Sequence, residues 1–344
     1  MIRPTQSCGL RRTTAITIAL LLSALLCART SLAAQPNILL IIADDQGVDA
    51  SAQYSVSRDV PRTPTLDRLA ANGIVYDNAW ATPGCTTTRG TLFTGQHGIH
   101  SGIDYIPAPL TDQHETLQQY LRRHPATANY RSAVIGKWHM GGRDASPNHP
   151  ATVGIDYFAG NLKASVDDYY DWTQTINGNS SKTTAYHTTA ITDLAIEWTE
   201  RQRKPWFLWL AYAAPHAPFH LPPPGLHARK LSGTENSVRQ DKRSYYLAAI
   251  EAMDAEIGRL LHSLPASSRD NTVVIYIGDN GTPRAVVDAG AFDRTKAKGT
   301  LFEGGAPAMT SGTRTPPSNR VPFALVRSNA LASTTPRGVP LSPM

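Results

Sequence analysis

The chain has 344 residues, with 33 basic and 27 acidic side chains and a formal charge of +6. Eight of the basic residues lie in the acid-free ends 1–34 and 306–344, so the middle carries 25 basic against 27 acidic residues and nucleic-acid binding loses its main support. A chain of this length can bury a large core, and with no internal repeat it fits one large α/β domain better than several small ones.

Residues 1–34 hold Arg3, Arg11, Arg12 and Arg29, an apolar run "AITIALLLSALLCA" and then the small residues "SLAA". That order is expected of a secretory signal peptide cleaved near Ala33 or Ala34, and the apolar run is shorter than the roughly 20 residues a spanning helix needs. The expected location is periplasmic or secreted, without a stable membrane anchor. Cleavage removes Cys8 and Cys27, leaving Cys85 as the only thiol in an oxidising compartment, either inert and buried or reactive.

Apolar runs then alternate with helical patterns, which predicts a largely parallel sheet flanked by helices on both faces. Strands are expected at 37–43 ("NILLIIA"), 132–136 ("SAVIG"), 206–212 ("WFLWLAY") and 272–278 ("TVVIYIG"). Helices are expected at 64–72, 115–122, 186–202 and 244–264. Each strand is followed by a polar cluster: Asp44-Asp45, Lys137-Trp138-His139, Pro215-His216 and Asp279-Asn280. Ligands of open parallel sheets bind beyond the carboxyl ends of the strands, so the four clusters are expected to converge.

Two adjacent carboxylates at the end of an apolar strand repel each other unless a cation or hydrogen bonds neutralise them. Asp44, Asp45, Asp279 and Asn280 form an oxygen-only set, which suits Ca²⁺ or Mg²⁺ better than Zn²⁺. Either pair alone reads equally as a turn former. Lys137, His139, His216 and Lys298 bring cations and proton-transfer groups to the same rim, which implies an anionic ligand. Strand alternation is expected to place Lys137 and His139 on one side and Trp138 on the other.

From about residue 36 to 305 the chain resembles the type I sulfatases of the alkaline-phosphatase-like superfamily. The resemblance rests on "NILLIIADDQG", "CTTTRGTLFTGQHG", "GKWHMGG", "APHAPFHLPP", "IYIGDNG" and "KGTLFEGG", in the family's order and spacing. It implies that a maturation enzyme oxidises Cys85 to formylglycine, whose hydrate is the nucleophile towards a sulfate ester. Arg89, one helical turn on, would stabilise that hydrate. Asp44, Asp45, Asp279 and Asn280, with the residue derived from Cys85, would surround Ca²⁺, and Lys137, His139, His216 and Lys298 would complete the site. A phosphonate monoester or phosphodiester hydrolase on the same scaffold is the nearest alternative. A non-catalytic paralogue that binds sulfated ligands is another.

Two features depart from the family pattern. Thr87 and Thr88 stand where proline or alanine, and then serine, usually follow the cysteine. After "FEGG" the stretch "APAMTSGTRTPPSN" intervenes before Arg320-Val321-Pro322, as an insertion, a truncation or a shifted reading frame would give, and the segment 306–344, with seven prolines and no acid, is expected to be an irregular tail, the usual C-terminal subdomain being reduced or absent. A catalytic domain over 35–305 follows. Substrate selection is expected within 101–131 or 155–185, where Tyr169, Tyr170 and Trp172 offer aromatic faces.

Overall fold

The computed structural model describes residues 35–77, 79–290, 319–320 and 323–327. The segment 1–34, Lys298 and most of the tail lie outside the described residues. In chain order the strands are β1 (Asn37–Ala43), β2 (Ile74–Val75), β3 (Trp80–Ala81), β4 (Arg131–Lys137), β5 (Phe158–Asn161), β6 (Trp172–Ile176), β7 (Asn179–Thr183), β8 (Trp206–Ala211), β9 (Thr272–Gly278), β10 (Asn319–Arg320) and β11 (Phe323–Arg327). The longer helices are α1 (Pro64–Ala71), α2 (Cys85–Thr94), α3 (Leu117–Arg123), α4 (His187–Glu200) and α5 (Lys242–Ser263).

Apolar runs such as Asn37–Ala43 have no polar face to turn to water, so their strands must be covered on both sides. They occupy the middle of a nine-stranded sheet of order β2-β11-β9-β1-β8-β4-β5-β6-β7. The five strands from β9 to β5 run parallel, and the expected mostly parallel sheet is what the chain forms. Antiparallel strands flank it on both sides. β11 belongs to the segment expected to be irregular. Its backbone pairs with β9 from Phe323↔Ile277 to Arg327↔Val273, so the core sheet continues past residue 305.

Side chains alternate between the faces with the strand period of two. Leu39, Ile41, Ile135, Leu208, Leu210 and Tyr276 pack with Leu66 and Leu69 of α1, Ile191 and Leu194 of α4, and Ile250 and Ile257 of α5. Leu40, Ile42, Val134, Phe207 and Trp209 point the other way, towards Phe93 of α2 and Leu117 and Leu121 of α3. Helices therefore cover both faces, as expected.

Register carries this alternation to the polar ends of the strands. Ala43 pairs with Gly278, so Asp44 and Asp279 leave the sheet side by side. β8 ends at the same level, with Ala211 opposite both Ile42 and Gly136. Gly136 has φ +109, and a Cβ there would lie 1.9 Å from the Ala211 carbonyl oxygen, so only glycine lets β4 and β8 stay paired just before Lys137.

Helix α1 is capped from a distance. Thr63 at its N-cap makes no side-chain cap bond, and Pro64 fills the first position. The Thr65 and Leu66 amides instead donate to Asp254 of α5, at 3.0 and 2.8 Å. Burial pushes the Asp254 carboxyl up to about 6 even though these bonds act to lower it. Asp254→Ala would leave two buried amides without acceptors and is expected to lower stability by about 2 kcal/mol in urea denaturation, with Asp254→Asn losing less. Equal stability of Asp254→Ala and the parent would show that the bonds are not needed.

Candidate active site

Helix α2 begins at Cys85, with Gly84 as its N-cap, and Cys85, Arg89 and Phe93 recur every four residues along one side. Phe93 anchors that side by stacking on Trp209 of β8, ring centroids 4.0 Å apart, and meeting Trp138 edge-on at 5.3 Å. Two turns closer to the amino end, Cys85 is thereby held at the carboxyl ends of β1 and β9, 3 % exposed. Its sulfur lies 3.9 Å from Asp45 Oδ1.

Ligand atoms of Asp44, Asp45, Cys85 and Asp279 all lie within 4.8 Å of one another, and all four residues are buried. Two cations enter the same space. Lys137 Nζ bonds Asp44 Oδ2 across the end of β8. Arg89 Nε donates to Asp279 Oδ2 at 2.9 Å, and its Nη1 donates to the Lys137 carbonyl oxygen at 2.9 Å. Burial alone would lower the pKa of Arg89, but Asp279, Asp44 and Cys85 outweigh it and hold the guanidinium charged. Lys137 is raised in the same way, burial being overcome chiefly by Asp44. Burial, then the charge of Asp44, push Asp279 up to about 6 despite Arg89 and Lys137.

Asp44, Asp45 and Asp279 against Lys137 and Arg89 leave one negative charge in a buried space, where an uncompensated charge costs several kcal/mol. A divalent cation would reverse that sign and leave the site attractive to a monoanion. Asn280 donates its amide to Asp45 Oδ1 at 2.5 Å, while its own Oδ1 is buried without a hydrogen-bond partner among the described residues. An oxygen-rich donor set with an amide oxygen left over fits a hard cation.

The histidines come from the next two strand ends. His139 Nε2 shares a hydrogen bond with Thr86 Oγ1 at 3.2 Å, beside Cys85. Trp138 enters the core as alternation implies, but His139 has φ +52, so the extended run expected through His139 ends there. His216 Nε2 lies 3.7 Å from Asp45 Oδ2, and His216 Nδ1 lies 2.7 Å from the Ala217 carbonyl. A carbonyl only accepts, so Nδ1 carries the hydrogen and Nε2 is the position that gains or loses a proton. Asp45, with φ +69, is the other site residue in the left-handed region, a strain of about 1–3 kcal/mol that the surroundings must hold.

Several supports carry no sequence motif. Asp49 accepts from Arg243 Nη1 at 3.1 Å and from the amide of Asp288 at 3.0 Å, and Thr282 Oγ1 bonds it as well. This ties the loop after β1 to the loop after β9. Gly47 lies so close that a Cβ would meet Thr282 Oγ1 at 2.6 Å. Tyr246 of α5 donates to the Asp45 carbonyl at 2.9 Å. Tyr169 does not offer a face to substrate: it is 1 % exposed, with its hydroxyl 2.8 Å from the carbonyls of Ala213 and His216. Trp172 is also buried and donates to the Ala185 carbonyl at 2.9 Å, so both belong to the core, and of the three aromatics only Tyr170 is exposed.

Thr87 and Thr88 also have structural work. Thr87 Oγ1 donates to the Gly84 carbonyl at 2.8 Å, Thr88 Oγ1 accepts from the Thr82 amide at 3.0 Å, and the Thr82 hydroxyl joins both. These bonds fix the first turn of α2 behind Cys85.

A protein-family model described as Sulfatase matches residues 36–323. The chain belongs to the sulfatase family. It is 30% identical over 308 residues to arylsulfatase J of Mus musculus, covering 82% of this chain and 48% of that one. It is also 30% identical over 308 residues to N-acetylgalactosamine-6-sulfatase of Homo sapiens, covering 78% and 55%. The chain thus spans about half the length of these curated relatives. Among solved structures it is similar to Ps i-CgsB, at 25% identity and a TM-score of 0.64 over 85% of this chain and 66% of that one. Ps i-CgsB is also known in complex with k-i-k-neocarrahexaose.

Family membership accounts for the acidic cluster as a place that could hold a metal. CaCl₂ or MgCl₂ is therefore expected to raise the thermal unfolding temperature over an EDTA-treated control, by the equivalent of about 2.7 kcal/mol at 100 times Kd. Asp279→Ala should abolish the shift, and an unchanged midpoint with both salts would contradict the reading.

Proposed function

We propose that this chain hydrolyses sulfate esters at the carboxyl ends of β1, β4, β8 and β9. The observation that carries the reading is Cys85 at the start of α2, 3.9 Å from Asp45 and inside a buried set of three carboxylates, Lys137 and Arg89. A site built for a resting thiol has no use for a cation-holding cluster against the sulfur.

Asp44, Asp45, Asp279 and Asn280 would hold Ca²⁺, with Mg²⁺ as the other oxygen-preferring candidate, and the ion supplies positive charge for the sulfuryl oxygens. Formylglycine made from Cys85 by a maturation enzyme supplies a hydrated aldehyde as nucleophile, whose second hydroxyl allows sulfate to be expelled. The rest falls to side chains of this chain. Arg89, held by Asp279 and the Lys137 carbonyl, presents fixed positive charge at position 85. Lys137, paired with Asp44, adds charge on the side facing β4. His139, bonded to Thr86 next to position 85, would serve as the base. His216 can hold a proton at Nε2 and deliver it to the leaving alcohol. Lys298 remains a second candidate for that proton.

The substrate class follows the relatives: an aryl sulfate or a carbohydrate sulfate. The signal-like segment 1–34 supports export to the periplasm or beyond, where such esters are met. The protein from its own host should hydrolyse an aryl sulfate faster than a phosphonate monoester or a phosphodiester and lose activity in EDTA. Cys85→Ala should abolish turnover, and His216→Ala should lower kcat by about 100-fold. Faster phosphonate or phosphodiester hydrolysis would assign the scaffold to that chemistry. Failure on all three by aldehyde-bearing protein would favour a binding role.

A further inference from the structure

A cavity of about 580 Å³ opens off the site on the side of His139, within the size range that holds small ligands. Its walls include Ile106 and Leu162, a partly apolar surface on which a sugar or aryl ring can lie. Two cations line it from different loops: Arg143, after β4, and Lys163, after β5. These strands are neighbours in parallel register, Lys137 opposite Asn161, so both loops leave the rim of the sheet together.

The charges of this wall are largely uncommitted. Arg143 makes no ion pair or side-chain hydrogen bond among the described residues. Lys163 reaches Asp167 at 3.4 Å, both side chains more than three-quarters exposed, a pairing too weak to hold the ammonium against a better partner. Asp144 lines the same cavity and pairs with neither cation. Arg143 and Lys163 against Asp144 leave the wall with a net positive charge. The metal-ligand cluster and Lys137 lie outside this lining, so the charge of Arg143 and Lys163 is not needed at the sulfate under attack.

We propose that Arg143 and Lys163 form an anion subsite, and that the substrate is a glycan with a second fixed negative group beyond the reacting sulfate. This deepens the reading of the chain as a sulfate ester hydrolase and rests on it for the position of the reacting sulfate. The second group is a sulfate or a carboxylate. An arginine can meet either with two parallel bonds, and a flexible lysine accommodates both. A simple aryl sulfate carries no such group and forgoes the contact.

The test compares three disaccharides of matched size: one with a single sulfate, one with two sulfates, and one with a sulfate and a uronic acid carboxylate. The full-length protein should show kcat/KM at least about tenfold higher for one or both dianionic compounds, expressed in KM, and the preferred one identifies the second anion. In the double variant Arg143→Ala/Lys163→Ala that preference ratio should collapse towards one, while Arg143→Lys keeps part of it. Binding of the same compounds to Cys85→Ala, measured by titration calorimetry, reads the subsite without turnover. If no disaccharide is hydrolysed but Cys85→Ala binds a dianionic one about tenfold more tightly, and the added double substitution removes the difference, the hydrolase reading fails and the subsite stands. Equal affinity for all three, no binding of any, or a preference that survives the double substitution would overturn the proposal.

Discussion

Three carboxylates buried at adjoining strand ends are the constraint on which the rest of the structure depends. Asp44 and Asp279 are brought side by side by the Ala43↔Gly278 register, and Asp45 follows at once. In a water-excluded space such a group would expel itself by repulsion unless cations came to it. Lys137 must then reach over the end of β8 from β4, and Arg89 must arrive from the helix above. The sheet order, the glycine at 136 and the stacking of Phe93 on Trp209 all serve that meeting.

The same constraint gives Cys85 its environment. Cys85 is a free, buried cysteine at a helix start, set among an arginine, a lysine and carboxylates. Under the proposed function it is where an anionic substrate would meet the charges of Arg89 and Lys137. The Asp49–Arg243–Thr282 tie and the Tyr246 bond hold the loops after β1 and β9 in place, including the strained backbone of Asp45. The groups proposed for catalysis thus sit at strand ends and at the start of α2, and the proposed anion subsite sits on the loops after β4 and β5.

Much of this was legible in the sequence, for physical reasons. The four long apolar runs are too hydrophobic for any place except a doubly covered sheet, and residues just past their ends had to lie on one rim. Asp44, Asp45, Lys137, His139, His216, Asp279 and Asn280 do meet there, with Cys85 and Arg89. What was not legible depends on partners far along the chain. Arg243 finds Asp49 across 194 residues, and nothing near either signals the other. Tyr169 and Trp172 fall in a stretch expected to select substrate yet lie in the core, because aromatic composition does not say which side of a strand or loop faces inwards. β11 lies in a stretch whose prolines and polar residues read as irregular, and pairing to β9 outweighs that local preference.

The central claim is that Cys85 is the precursor of the reactive group and not the group itself. Mass spectrometry of the tryptic peptide ending at Arg89, from protein made in its own host, measures this directly. The account predicts the mass of formylglycine or its hydrate at position 85. An intact cysteine throughout the population, with the maturation machinery present, would contradict it.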